Sequence, residues 1–264
     1  MKKNFIRLLV ASLAFIHFSC ENEEPIKAVV ERGLDRATSQ SLILAKDILD
    51  EEGKLPRTFE GGEVKTTSFK AWVSGFFPGT LWYLYENNPT EELKMLARAY
   101  TVRVEEAKHV TSHHDVGFML YCSYGNGYRL TNDSSYLDVM KTGAESLATR
   151  YNPTVGLIKS WETRDKWQYP VIIDNMMNLE FLLFASQVTG DKRYLNMANA
   201  HAAKTMKHHF RPDYSSYHVV SYDTITGLPH AKNTHQGYAD ESAWARGQAW
   251  GVYSYTMMYR ETGK

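Results

Sequence analysis

Two short motifs carry the residues best suited to chemistry: His113-His114-Asp115, in HHDVGFMLY, and Ile172-Ile173-Asp174, in VIIDNMMNLEFL. Carboxyl groups can give and take protons, and each Asp precedes an apolar run with helical spacing. After Asp115 the run is Val116, Phe118, Met119 and Tyr121; after Asp174 it is Met176, Met177, Leu179 and then Phe181 through Phe184. An Asp at a helix start can equally be an N-cap whose carboxylate accepts orphan backbone N–H groups. Taken singly, capping is the simpler reading. Two such sites in a chain with six Trp and 17 Tyr point instead to carboxylates at the mouth of a helical barrel, facing a sugar.

The elements that must position them read as helix, turn, helix. The spacing predicts helices near 26–50, 74–87, 90–108, 115–129, 134–150, 175–188, 192–209 and 243–261. A turn recurs between them: Thr131-Asn132-Asp133-Ser134-Ser135-Tyr136-Leu137 matches Thr189-Gly190-Asp191-Lys192-Arg193-Tyr194-Leu195 in kind, with Asn87-Asn88-Pro89-Thr90 earlier and Thr262-Gly263-Lys264 at the end. In each, Gly or Asn closes one helix and Thr, Asp or Ser caps the next. No segment shows clear strand alternation, although 214–230 has room for a short hairpin. The first helix of each pair is aromatic and rich in small residues (GFFPGTLWYLY, DVGFMLYCSYG, NMMNLEFLLFA, WARGQAWGVYSY), and the second is plainly amphipathic. A helix apolar on nearly every side is buried on every side, so inner helices alternate with outer ones. The expected fold class is therefore all-α, an (α/α)6 toroid, with both motif aspartates on the rim of its cavity.

Net charge is zero across 264 residues, which argues against a nucleic-acid partner or adsorption to an anionic membrane. Residues 1–20 read as an export signal: Lys2, Lys3 and Arg7, then a short apolar stretch from Leu8 to Phe18. Ser19-Cys20 followed by Glu21, Asn22, Glu23 and Glu24 resembles a bacterial lipoprotein signal, with 21–25 an acidic linker like the sorting tags of Bacteroides-type surface lipoproteins. The expectation is an exported lipoprotein of a Gram-negative bacterium, periplasmic or on the cell surface, touching the membrane only through a lipid on Cys20. Plain cleavage and secretion is the alternative. Cys122, the only other cysteine, sits in an apolar helical pattern and reads as a buried thiol, so there is no disulfide framework.

From about residue 27 onward the chain resembles the unsaturated glucuronyl hydrolases of glycoside hydrolase family 88. The likeness rests on Trp72-Val73-Ser74-Gly75-Phe76-Phe77-Pro78-Gly79, on His114-Asp115-Val116-Gly117-Phe118 and on Asp174-Asn175-Met176-Met177-Asn178-Leu179. It rests also on His235-Gln236-Gly237-Tyr238 and on Ser242-Ala243-Trp244-Ala245-Arg246-Gly247-Gln248-Ala249-Trp250. The resemblance implies Asp174 as general acid/base and Asp115 as the second carboxylate, preceded by His114. It places His218, Gln236, Arg246 and Trp250 against the unsaturated sugar, with Trp72 and Trp161 walling the pocket. The implied substrates are unsaturated uronyl oligosaccharides, and no cofactor is implied. The implied step is hydration of a C4=C5 double bond, which needs one carboxyl held neutral; an ionised Asp115 beside Asp174 would raise its pKa, with His114 tuning the pair.

Simpler roles stand beside these. Arg246 could serve an inter-helix salt bridge, and Trp72, Trp161 and Trp250 could be packing. Ten His raise the question of metal, but no zinc-protease arrangement and no Cys pair with ligand spacing is present, so no metal site is expected. The family has twelve barrel helices and about eight are legible here. A longer native gene with four further helices is expected, and a 264-residue chain that is poorly soluble or marginally folded by itself. The alternatives are a family 105 hydrolase for unsaturated galacturonyl-rhamnose fragments, and an inactive, truncated sugar-binding fragment.

Overall fold

The computed structural model describes residues 24–164 and 166–264; the expected signal segment and its Cys20 lie outside them. The chain divides into two units, Met1–Ile43 and Leu44–Lys264. The described part of the first is an acidic-to-helical lead into α1 (Ile26–Asp47), whose side chains in this stretch are exposed or half-buried. Among the described residues no helix is long and apolar enough to cross a membrane.

The second unit is built from helical hairpins. Helix α2 (Phe76–Asn87) packs on α3 (Glu91–Val102), which a 3₁₀ turn (Glu105–His109) extends. Next come α4 (Val116–Leu120), a π-helical turn (Tyr121–Gly125), α5 (Asn126–Thr131) and α6 (Ser135–Ala148). A 3₁₀ turn (Ile173–Asn178) leads into α7 (Leu179–Thr189), which pairs with α8 (Lys192–His209), and α9 (Ala245–Thr262) follows. The alternation of apolar and amphipathic helices is that of the α/α toroid. Helix α7 buries Leu179, Phe181, Leu182, Leu183 and Ala185, whereas α8 buries one face through Tyr194, Ala198, His201, Ala202, Thr205 and His209.

The caps follow the predicted turn chemistry with one change. Thr90 accepts from the Leu93 N–H and Asp191 from the Arg193 N–H, while Asn132 (φ 54°) and Gly190 (φ 76°) close the preceding helices in the left-handed conformation. At α6 the Ser134 side chain does not cap; the Asp133 carboxylate takes the Ser135 N–H instead, at 3.1 Å. Inner helices approach closely where side chains are missing. A Cβ on Gly75 would lie 2.2 Å from the Met119 carbonyl oxygen, and one on Gly79 2.7 Å from that of Cys122.

The helical class expected from the sequence is the one observed, and small antiparallel sheets stitch its loops together. Strands β1 (Leu55–Glu60) and β2 (Glu63–Thr67) form one hairpin, and β3 (Tyr151–Asn152) and β4 (Leu157–Ile158) another. Strands β5 (Pro170–Ile172), β6 (Val219–Tyr222) and β7 (Pro229–Asn233) make a three-stranded sheet in that order. The hairpin expected within 214–230 is thus present but runs on to Asn233. The two predicted inner helices that begin at the motif aspartates are also less regular than their spacing suggests: one carries the π turn and the other starts with the 3₁₀ turn. Cys122 sits in the π turn, a partly buried free thiol pushed up to about 12 by burial.

Candidate active site

Backbone hydrogen bonds bring the motif loops to one place. The His114 N–H donates to the Ser160 carbonyl at 3.0 Å, and the Ser160 N–H to that of Pro170 at 2.8 Å. Pairing of Ile172 with Val219 then carries the chain across the sheet, and the Ile173 N–H reaches the His218 carbonyl at 3.0 Å. Asp174 and His218 are therefore neighbours because β5 and β6 pair, not because of helix packing.

Neither motif aspartate is a side-chain N-cap. The Asp115 carboxylate, with 20% of its side chain exposed, faces His113 Nδ1 at 3.1 Å and His114 Nε2 at 3.4 Å. Burial pushes its pKa up, but His114, the bond and charge of His113, and Arg150 outweigh that and hold it below the usual carboxylate value. Asp115 is ionised at neutral pH. Asp174 has the opposite setting. Its Oδ2 is buried without a hydrogen-bond partner, and the His218 Nε2 stands 3.7 Å away, beyond hydrogen-bond range. Burial raises its pKa to about 7; the Asp115 charge adds to the rise, while its own backbone N–H, Arg246 and Trp250 pull against it. The chain thus holds one ionised carboxylate and one carboxyl that keeps its proton into the neutral range, within electrostatic reach of each other.

Three of the remaining predicted residues, His218, Arg246 and Trp250, act on Asp174, and the others join them through side-chain contacts. Trp72, 37% exposed, meets Phe118 edge-on at 5.7 Å, and Phe118 meets Trp250 at 5.5 Å. The Trp250 indole nitrogen is buried and makes no hydrogen bond, although it lies close enough to Asp174 to lower its pKa. Arg246, one helical turn before Trp250, lies over the Trp244 ring at 4.5 Å and over Trp72 at 5.8 Å. Its guanidinium donates to the Gln236 side-chain carbonyl, a neutral partner rather than the carboxylate of an inter-helix salt bridge. His218 stacks 4.3 Å from Trp244, and its Nδ1 accepts the backbone N–H groups of His235 and Gln236 at 3.1 and 3.2 Å. The proton of neutral His218 must then sit on Nε2, towards Asp174; burial and the charges of His235 and Arg246 push this imidazole down to about 3. Trp161 joins through His235 at 5.4 Å and packs on Trp167 at 5.6 Å. Buried His114 completes the set beside Asp115. All nine predicted side chains belong to one connected constellation.

Four contributors carried no predicted role: Trp244, His235, His113 and Asn178. His113 and His235 abut predicted residues and Trp244 stands two before Arg246, so closeness in sequence was a signal that could have found them. Asn178 is different, since its link to His114 spans 64 residues. Among the described residues no group of three or more His, Cys, Asp or Glu is placed to hold a metal ion.

With that geometry in place, comparison with known proteins finds the family model Glycosyl Hydrolase Family 88 matching residues 49–262. The chain is 42% identical to an unsaturated glucuronyl hydrolase of Formosa agariphila, over 99% of this chain and 67% of the relative. It is 35% identical to an unsaturated chondroitin disaccharide hydrolase of Streptococcus agalactiae, over 89% of this chain and 60% of that one. A crystal structure of an unsaturated glucuronyl hydrolase specific for heparin superposes with a TM-score of 0.82 at 46% identity, covering 88% of this chain and 63% of the other. The chain thus spans about two thirds or less of the length of these relatives.

Proposed function

The chain belongs to glycosyl hydrolase family 88, and on that premise we propose that its site removes the 4,5-unsaturated uronate from the non-reducing end of lyase-made oligosaccharides. The observation that supports this most is Asp174, its Oδ2 buried without a partner and its pKa raised to about 7, within reach of the charge of an ionised Asp115. In the proposed step Asp174 gives its proton to C4 of the enol ether. Water adds at C5 and returns a proton to Asp174, so the acid is regenerated. The hemiketal at C5 opens to a ketone, and the hemiacetal left at C1 releases the partner sugar. Arg246 pairs with the substrate carboxylate or steadies developing charge, Gln236 and His218 donate to hydroxyls, and Trp72, Trp161 and Trp250 pack on the sugar faces.

The same premise favours this reading over the rhamnogalacturonyl one. Incubation with unsaturated disaccharides from chondroitin and from heparin tests it. The ultraviolet absorbance of the conjugated uronate should disappear with at least one of them, and no loss on any unsaturated uronide would leave a sugar-binding fragment. We also propose export with a lipid on Cys20, supported by the basic, apolar and Ser-Cys-acidic order of the first 24 residues. Metabolic labelling with a fatty acid should mark the wild type and not Cys20→Ala; equal labelling would sink the assignment.

A further inference from the structure

A chain of hydrogen bonds behind Asp115 ends at a residue with no role so far. The backbone N–H of Phe118 donates to Asn178 Oδ1 at 3.3 Å. A backbone N–H can only donate, so the other end of this amide, its NH₂, is the end that faces His114 Nδ1 at 3.1 Å and the Asn175 carbonyl at 3.4 Å. An NH₂ offers no lone pair here. His114 Nδ1 must therefore be the acceptor, and the ring proton must sit on Nε2, which faces Asp115 Oδ1 at 3.4 Å. Protonating His114 would set an Nδ1–H against the Asn178 NH₂, donor against donor. Asn178, Asn175 and His114 are all buried, so water cannot relieve that clash.

We propose that Asn178 is a positioning residue that locks His114 in its neutral, Nε2–H form and thereby keeps Asp115 a carboxylate uncompensated by an imidazolium, within electrostatic reach of Asp174. The backbone leaves room for this amide: a Cβ on Gly117 would lie 2.5 Å from Asn178 Oδ1. Asp115 and a side-chain hydrogen bond to Asn175 favour a positive charge on His114, whereas His113 and Arg150 oppose one. Burial acts in the same direction and lowers the His114 pKa.

The effect on turnover rests on the hydrolase reading, but the state of His114 does not, so the closing test separates the two. The ring nitrogens of His114 are followed by ¹⁵N NMR across pH, with the signal assigned by its loss in His114→Gln. In the wild type at pH 7, Nδ1 should show the shift of an unprotonated nitrogen and Nε2 that of an N–H. Asn178→Asp keeps the shape and the Phe118 bond but replaces the donor by an acceptor. Both His114 nitrogens should then carry protons at pH 7, and kcat on an unsaturated disaccharide should fall at least tenfold with KM within threefold. A wild-type His114 that is protonated or carries its proton on Nδ1 at pH 7 would overturn the proposal, even if the variant fails to fold. So would an unmoved His114 signal in a folded Asn178→Asp protein. A moved signal with no disaccharide turnover in the wild type would leave the lock standing and count against the hydrolase reading instead.

Discussion

Asp115 and Asp174 are the same residue at two helical entrances, yet the chain treats them in opposite ways. Asp115 has imidazole nitrogens at 3.1 and 3.4 Å and an arginine behind them. Asp174 has an orphan oxygen among apolar and aromatic walls, with its nearest imidazole N–H held at 3.7 Å. Burial pushes both pKa values up, but at Asp115 donors and cations win, and at Asp174 nothing close enough does. The lesson is that acid and base are assigned by the surroundings, and here by atoms only a few tenths of an ångström apart in reach.

The largest test of that contrast is Asp174→Asn. The amide keeps the shape but cannot cycle a proton, so turnover should drop at least ~10³-fold with the fold intact. The same change should stabilise the protein. A carboxyl raised to about 7 is forced to ionise in a buried place at pH 8, and removing that penalty should add roughly 1–3 kcal/mol, read from urea unfolding at pH 8. Substantial residual turnover, or a loss of stability, would break the assignment.

Asp115→Asn should lower turnover about 100-fold by removing an interaction that acts through its neighbour. Its sharper signature is in pH. Without the like charge Asp174 ionises at lower pH, so the residual activity should fall away earlier as pH rises. An unchanged alkaline limb would leave Asp115 as a substrate contact alone.

Acid should act on the two kinds of buried group in opposite senses. Asp174, raised to about 7, binds its proton in the folded chain first, so between pH 7 and about 4 it favours folding as pH falls. His201, lowered to about 3 by burial, does the reverse: the unfolded chain takes the proton below 6.5, at a loss of about 2 kcal/mol by pH 5. His209 and His218 follow His201. Stability should therefore fall from pH 7 to 5, and fall more steeply in Asp174→Asn, where the offset is gone. Parallel pH curves for the two proteins would contradict the raised value at Asp174.

The smallest effect belongs to the rim. Arg246 sits over two indoles and holds Gln236, so Arg246→Lys should raise KM about tenfold and leave the alkaline limb nearly where it was. A large kcat loss instead would place it nearer the reacting atoms than the substrate carboxylate.

Much of this was legible in the residues alone. Helical spacing and turn chemistry located the helices within a few residues, because each depends on neighbours three or four apart. The motif aspartates stood out for the same reason: each heads an apolar run. The strands were harder. Strand β1 has a single buried residue, Leu55, so it shows no alternation, although Gly61-Gly62 with both φ positive is a tight hairpin signal that could have revealed it. Strand β5 is three buried residues, too short for any period.

The sequence by itself determined the helical hairpins, the order of inner and outer helices and the types of side chain at the cavity mouth, since these follow from local spacing and from residue chemistry. Only the tertiary structure decided which carboxyl keeps its proton, which nitrogen of His114 and His218 carries one, and that Asn178 stands behind them. Those outcomes depend on burial and on donors delivered from chain positions dozens of residues away, across a sheet that no single strand announces. A pKa is a property of surroundings, and surroundings exist only once the chain has folded.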